Sequence, residues 1–287
     1  MTTTRPDDAR TQEAFLRAFH AERPAVTAEA FGGGRGDDGR SSYRILADLV
    51  ADAPRVLELG CGDGLLLELL AEGRSPADLA GIDLSPEALA LARARPALAG
   101  AELCEGRAQE LPFADGRFDA CVSHMALMLM ADVGQVAAEA ARVLAPGGVL
   151  ACVLGGGAAG DGEAYGMFVG LLRRLDARLP GGLGMPRLGD RRTRDRAGWE
   201  EIFAPAGFGP VEWQTVRIDV SGPAERVWET VACVYDMAPL SADVVAALRS
   251  DFLAGAADLT PPGGLTPCAL NFHVATARLL PRPASGT

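Results

Sequence analysis

Val56-Leu-Glu-Leu-Gly-Cys-Gly-Asp-Gly64 sets three glycines at alternate positions directly after a short apolar run. A strand that ends in such a turn and opens a helix can bring backbone into contact with a ligand, because glycine reaches conformations closed to other residues. It also aims the free N–H groups of the helix start at that ligand. The spacing discriminates among ligands. A dinucleotide fingerprint, G-x-G-x-x-G, needs glycine three positions after Gly62, where this chain has Leu65. A nicotinamide oxidoreductase is opposed on that ground. Asp83 ends the next apolar run, 21 positions after Gly62. A carboxylate there can accept hydrogen bonds from both hydroxyls of a ribose.

Two further segments follow in order: Gly106-Arg-Ala-Gln-Glu-Leu-Pro-Phe113, then Phe118-Asp-Ala-Cys-Val-Ser-His-Met125 with Val143-Leu-Ala-Pro-Gly-Gly148 behind it. Read together, E-x-G-x-G-x-G at Glu58–Gly64 resembles motif I of the class I S-adenosylmethionine-dependent methyltransferases of small molecules. The segment after Gly106 is similar to that family's G-D-A-x-x-L-P-F stretch, and the resemblance covers about Val56 to Leu154. It implies S-adenosyl-L-methionine as cofactor. By the same resemblance, Glu58, Gly60, Cys61 and Gly62 belong to its binding turn, and Asp83 and Leu84 to the ribose. Ala108 and Gln109 edge the adenine, Ser123 ends the fourth strand, and Tyr43 meets the methionyl carboxylate. Arg107 departs from the family's aspartate and cannot accept from an adenine amino group, since a guanidinium only donates. Solvent is its expected direction.

Methyl transfer to a nucleophile calls for alignment and exclusion of water more than for bond-making groups on the protein. Carbon and oxygen nucleophiles usually also need deprotonation. His124, just past the carboxyl end of the fourth strand, is the candidate catalytic base or acceptor ligand, with a structural role in that loop as the alternative. The expected acceptor wall comprises Met125 and Met128 beyond the strand, and Tyr165 and Phe168 on one later helix. Trp228 and Tyr235 join it on another, two turns apart on one face. His273, inside the last strand, is either a substrate contact or a satisfied core histidine. No His/Cys/Asp cluster has metal-ligand spacing, so no metal is expected. A methyltransferase-fold protein that binds the cofactor as a cyclase or binding module, without transfer, has the same motifs.

Alternating segments must position these residues. Strands are expected at Arg55–Leu59, Leu79–Asp83, Ala101–Glu105, Phe118–Ser123 and Gly148–Leu154, with helices at Gly64–Ala71, Pro86–Arg95 and Val133–Leu144. That alternation predicts an α/β, Rossmann-like, seven-stranded and mainly parallel sheet with helices on both faces. Beyond it, Gly155–Gly160 reads as a glycine-rich turn and hinge. Helices at 163–179 and 223–256 exceed what the sheet needs and are expected to form a lid. The divisions are an N-terminal helical and loop segment at 1–45 and a cofactor-binding core at 46–155. The rest of the sheet follows at 156–287, with lid insertions at about 160–195 and 223–260.

Composition narrows the partner. The net charge is −11, which opposes nucleic acid, since such binding relies on cations neutralising phosphates. All 27 basic residues are arginine, so Schiff-base and P-loop lysine chemistry are excluded. Six cysteines without a C-x-x-C pair suit reduced thiols in a reducing compartment. No apolar run reaches membrane-spanning length and the first residues lack a signal-type apolar stretch, so a cytoplasmic monomer or homodimer acting on a small-molecule acceptor is the expectation.

Overall fold

The computed structural model describes residues 6–160 and 163–281. Apolar runs at Val56–Leu59 (β1), Leu79–Asp83 (β2) and Phe118–His124 (β4) form the middle of a sheet, and Glu102–Glu105 (β3) is one edge. Leu144–Ala158 (β5), Glu212–Asp219 (β6) and Ala269–Arg278 (β7) complete it, in the order β3-β2-β1-β4-β5-β7-β6. β1 to β5 pair in parallel. β7 lies antiparallel between β5 and β6. Parallel neighbours need crossovers, supplied by helices Leu65–Ala71 (α4), Pro86–Arg93 (α5) and Val133–Val143 (α6). Strand order reverses between β1 and β4. In such sheets a crevice opens there, outside the carboxyl ends of the strands.

Burial explains why both faces are covered. Leu46 of helix Ser42–Leu49 (α3), Leu67 and Leu70 of α4 and Leu89 of α5 pack on Val56, Ala120 and Val122 of the sheet. On the other face, Val136 and Ala140 of α6 and Trp199 and Phe203 of helix Arg196–Phe203 (α8) cover Cys121, Leu150 and Cys152. Each fully buried large aliphatic side chain contributes about 1.5–3 kcal/mol. α5 starts where the sequence says it must: Pro86 occupies its first turn, and the Ser85 hydroxyl accepts from the Ala88 N–H at 3.1 Å. All six cysteines are free thiols.

The seven strands and the mainly parallel pairing match the expectation; four local features differ. β5 runs on through Gly155 to Ala158, paired with β7, so the expected hinge is mostly strand ladder with a register shift between Gly155 and Gly157. Within the expected N-terminal helical and loop segment, a six-residue helix, Val26–Phe31 (α2), follows α1 (Pro6–Glu22). The glycine-rich loop after it is tied down, since Arg35 bridges to Asp219 of β6. The expected lid helices, Ala164–Arg178 (α7), Ala224–Val231 (α9) and Ala242–Leu259 (α10), converge on an apolar cluster of their own. In it Phe168 meets Trp228 edge-on at 6.0 Å and Phe252 at 6.2 Å. Phe168 and Trp228 are therefore packing residues, contrary to their expected place on the acceptor wall. Tyr235 sits on a 3₁₀ turn, Tyr235–Met237, past the end of α9, and shares no helix face with Trp228.

The segment between α7 and α8 is anchored through Gly189. Its φ is +62°, and a Cβ built there would lie 1.9 Å from the Met128 carbonyl oxygen. Its N–H donates to Gln12 Oε1 at 3.1 Å. Left-handed backbone and backbone collision together predict that Gly189→Ala destabilises the protein by about 2–4 kcal/mol. Urea-unfolding midpoints of the two proteins check this; equal midpoints would show that the segment is not docked as described.

Candidate active site

The crevice at the ends of β1, β2 and β4 is built by backbone first. The Gly60 N–H donates to the Ile82 carbonyl at 2.8 Å, binding the glycine turn to β2. Asp83 then closes it. One carboxylate oxygen accepts from the Gly62 N–H at 2.8 Å and the other from the Ser85 N–H at 2.9 Å. A carboxylate has about four acceptor positions, so two remain for hydroxyls of a ligand. Gly60 has φ +73°, and its built Cβ would stand 2.4 Å from the Ala126 side chain, while a Cβ at Gly62 would meet nothing within 4 Å. The first glycine is needed for packing. The second leaves its side open toward the crevice.

Two chambers share Gly60 and Asp83. The first is lined by Asp83, Leu84, Ala108 and Gln109, so the structure brings these four candidate residues together. Gln109 is committed to the Ala131 carbonyl, so it frames the chamber and is not free to rotate. Arg107 pairs with Glu13 at 2.6 Å, correcting the expectation that it points to solvent. The second chamber is lined by Tyr43, Glu58, Gly62 and His124, as expected of a methionine pocket, with Met125 at its far side. Cys61 reaches it mainly through its backbone, because its thiol is buried and would be struck by a Cβ on Gly81.

Side-chain alternation along β4 separates Ser123 from His124. Ser123 is fully buried; its hydroxyl donates to the Leu59 carbonyl at 2.8 Å and accepts from the Leu127 N–H at 3.1 Å. It lines neither chamber and holds the loop after β4, which corrects its assignment as a cofactor contact. His124 turns toward α3. Its ring stacks on Tyr43 with centroids 3.6 Å apart, and its Nε2 meets the Ser42 hydroxyl at 2.9 Å. Nδ1 is buried without a partner. Burial pushes the imidazole down to about 3, so it is uncharged at neutral pH. His124 is the last residue of β4 and not a residue past it, and a neutral imidazole this deeply buried is a poor fit to the expected catalytic base.

Glu58 shares this dry environment. The Leu67 N–H serves its carboxyl, and Oε2 has no partner. Burial, with Asp63 and Asp83 nearby, holds the carboxyl well above the usual carboxylate range. Two orphaned polar atoms, Glu58 Oε2 and His124 Nδ1, thus occur in one chamber. Buried polar atoms without partners cost about 1–3 kcal/mol each, and they mark where a polar ligand would find partners. The open carboxylate, the bare glycine edge and these atoms fit an adenosyl amino acid.

Beyond Met125 and Tyr235 lies a separate cavity of about 560 Å³. Met128 and Tyr165 line it as expected, joined by Phe31 and Phe272. Met125 is held at φ +57°, a left-handed conformation uncommon for a non-glycine residue, at the junction of chamber and cavity. His273 lies elsewhere. Its Nδ1 bonds the Thr215 hydroxyl at 2.9 Å and its ring tilts against Trp213 at 5.1 Å, on the outer strands, so it is not an acceptor contact. Among the described residues, no group of three or more His, Cys, Asp or Glu is arranged to hold a metal ion, and no helix is long and apolar enough to cross a membrane.

One wall was not foreseen. Leu16, Arg17 and His20 of α1 close the first chamber, with the Arg17 guanidinium on the Leu84 carbonyl. His20 Nε2 bonds the Tyr235 hydroxyl at 3.0 Å, and Phe19 packs on the same ring at 4.6 Å. The available signal was an apolar stripe of Phe15, Leu16 and Phe19 on a helix without a strand to cover in its vicinity.

Residues 57–152 match a methyltransferase-domain family. Over 106 residues the chain is 40% identical to the fatty-acid O-methyltransferase of Mycolicibacterium smegmatis, covering 37% of this chain and 39% of that one. It is 38% identical over 118 residues to the demethylmenaquinone methyltransferase of Thermus thermophilus, covering 40% and 54%. The matched stretch thus spans about half or less of these relatives' length. Two solved structures share the fold at identities too low to carry more than that. One is a phosphoethanolamine N-methyltransferase of Haemonchus contortus holding phosphomonomethylethanolamine and S-adenosylhomocysteine, with TM-score 0.55, 19% identity and 94% and 60% coverage. The other is the [4+2]-cyclase SpnF, with TM-score 0.52, 21% identity and 92% and 94% coverage. Motifs, sheet order and crevice agree with that match: residues 57–152 carry a methyltransferase domain, on a sheet with the fold of S-adenosylmethionine-dependent methyltransferases.

Proposed function

We propose that this protein transfers a methyl group from S-adenosylmethionine to a nucleophilic atom of a small organic molecule. The carrying observation is the adjacency of spaces: the chamber organised by Asp83 and Gly62 abuts a separate, largely apolar cavity at Met125 and Tyr235. The cofactor, when bound, supplies an already activated sulfonium methyl. Asp83 accepts from the ribose hydroxyls, Leu84 and Ala108 bound the adenine, and Gln109 fixes the loop beneath it. Glu58, Tyr43 and the backbone of Gly60, Cys61 and Gly62 hold the amino-acid end. Met125, Met128, Tyr165 and Tyr235 shape the acceptor space and keep water out. Alignment of this kind can account for several kcal/mol of a displacement barrier.

His124 is proposed as a positioning residue. With its imidazole pushed down to about 3, it draws a proton only weakly from a neutral hydroxyl. Stacked on Tyr43 and bonded to Ser42, it fixes the aromatic wall of the chamber. The acceptor that fits such a site arrives nucleophilic, as an amine, an enolate-like carbon or an ionised oxygen.

Asp83→Ala should cost about 2–4 kcal/mol of S-adenosylhomocysteine affinity in a calorimetric titration, from two charge-assisted hydrogen bonds. Asp83→Asn, which keeps an acceptor for the turn, should lose less. Unchanged affinity in both would remove Asp83 from the site. Incubation with methyl-labelled cofactor and a panel of small apolar amines, phenols and acids should release S-adenosylhomocysteine above the acceptor-free blank. Tight cofactor binding with no turnover on any class would favour the binding-module reading.

His124→Gln should keep turnover within about threefold, and neither protein should show a limb near pH 6.5 that disappears on substitution. A limb lost in the variant would restore His124 as a base. The sign of the stability effect is set by the direction of the shift. The unfolded imidazole takes up its proton near pH 6.5 and the folded one only near 3, so the folded state is disfavoured as pH falls through that window. Relative to His124→Gln, the wild type should lose up to about 1.4 kcal/mol per pH unit below pH 6.5, read from urea midpoints at pH 7, 6, 5 and 4. Parallel curves would contradict the buried, neutral imidazole.

A further inference from the structure

We propose that the cavity beside the cofactor chamber takes an acceptor with an apolar body and an anionic group, the anion being held by Arg187, Arg191 and Arg194 away from the atom that is methylated. This rests on the reading of that cavity as the acceptor space. All three arginines line it and none lines either cofactor chamber. Asp236, beside Tyr235, is the acid among its described lining residues. The remaining wall is mostly apolar, with Phe31, Met125, Met128 and Phe272 prominent.

The arrangement of the arginines follows from local structure. Arg191–Arg194 is one turn of 3₁₀ helix, in which residues three apart eclipse each other. Arg191 and Arg194 therefore project from one side. Arg192 turns away and pairs with Asp190 at 2.7 Å, while Thr193 is buried beneath. Arg187 joins them from the preceding loop, which Gly189 clamps onto the Met128 carbonyl. Most arginines near acids here are paired, from Arg17 with Glu105 to Arg249 with Glu225. Among the described residues the side chains of Arg187, Arg191 and Arg194 make no hydrogen bond or ion pair, and Arg187 acts on Asp190 only through its charge at a distance. Three unpaired guanidiniums gathered at one cavity, in a chain of net charge −11, are a recognition feature for an anion such as a carboxylate, sulfonate or phosphate. Their separation from the cofactor chambers assigns them to holding the acceptor and leaves the methylated atom to the Met125 end.

A matched pair of fluorescent probes tests this without cofactor. 1-Anilinonaphthalene-8-sulfonate carries an apolar body and an anion; N-phenyl-1-naphthylamine is the same body without the charge. The folded wild type should bind the sulfonate saturably and at least about tenfold more tightly than the amine, as one charge-assisted contact supplies. Rising salt should erode the preference. The Arg187→Gln, Arg191→Gln, Arg194→Gln triple variant should lose it and bind the uncharged probe as before. Equal affinity of the two probes for the wild type, or a preference that survives the triple substitution, overturns the proposal. Titration with S-adenosylhomocysteine reports separately on the folded cofactor site, so a failed cofactor site and a failed anion site are told apart. If the triple variant does not fold, the three single variants must each lower the preference. Three unchanged single variants overturn the proposal as well.

Discussion

The Asp83 carboxylate, shared between the Gly62 and Ser85 N–H groups, is the interaction on which the site depends. It joins two turns that emerge from adjacent parallel strands and whose free N–H groups would otherwise face only water. Because β1 and β2 are in register from Val56 with Leu79 to Leu59 with Ile82, the carboxylate arrives level with the glycine turn. The glycines follow from this approach. Gly60 lacks room for a methyl group against Ala126, and Gly64, at φ +81°, would strike Leu98 and Ala92 with one. A single acid thereby both closes the turn and faces the crevice, which couples folding of the loop to binding at it.

Around that link burial shifts two titratable groups. Burial, with Asp63 and Asp83 nearby, moves the Glu58 carboxyl well above the ordinary carboxylate range, and burial moves His124 well below the ordinary imidazole range. Desolvation disfavours the charged form of either group, so the same dry surroundings move an acid up and a base down. Around His124 the chamber is a stacked and hydrogen-bonded wall. It suits a reaction in which the transferred group is already activated and the protein's task is alignment.

Charge is instead concentrated beyond the chamber. The many ion pairs that arginines make at the surface add little stability, since exposed pairs contribute about 0–1 kcal/mol. The cavity arginines differ because none is held in an ion pair, and the apolar side chains that share the cavity lower the local dielectric and strengthen their field. The cavity and the neighbouring chamber are therefore chemically distinct, although Met125 and Tyr235 line both.

What could be read along the chain was whatever neighbours in sequence decide. The strand–glycine-turn–helix at Val56–Ala71, the Ser85–Pro86 helix start and the alternation that makes a parallel sheet are local, and they appear within a few residues of their expected places. Tyr43, Glu58, Asp83, Leu84, Ala108 and Gln109 gather because those local units come from adjacent strands. Packing between distant segments decided the rest. Phe168 and Trp228 carry the same aromatic surface as Tyr165 and Tyr235, and only the meeting of α7, α9 and α10 turned one pair inward and left the other at the cavity. His124 ends β4 near its expected position, but its basicity was set by burial, to which Ser42 and Tyr43 from some eighty residues earlier in the chain contribute contacts. α1 closes the chamber by contacts between His20 and Tyr235, 215 residues apart. Solvent exposure and partner identity are sums over such contacts, and no sequence window contains them.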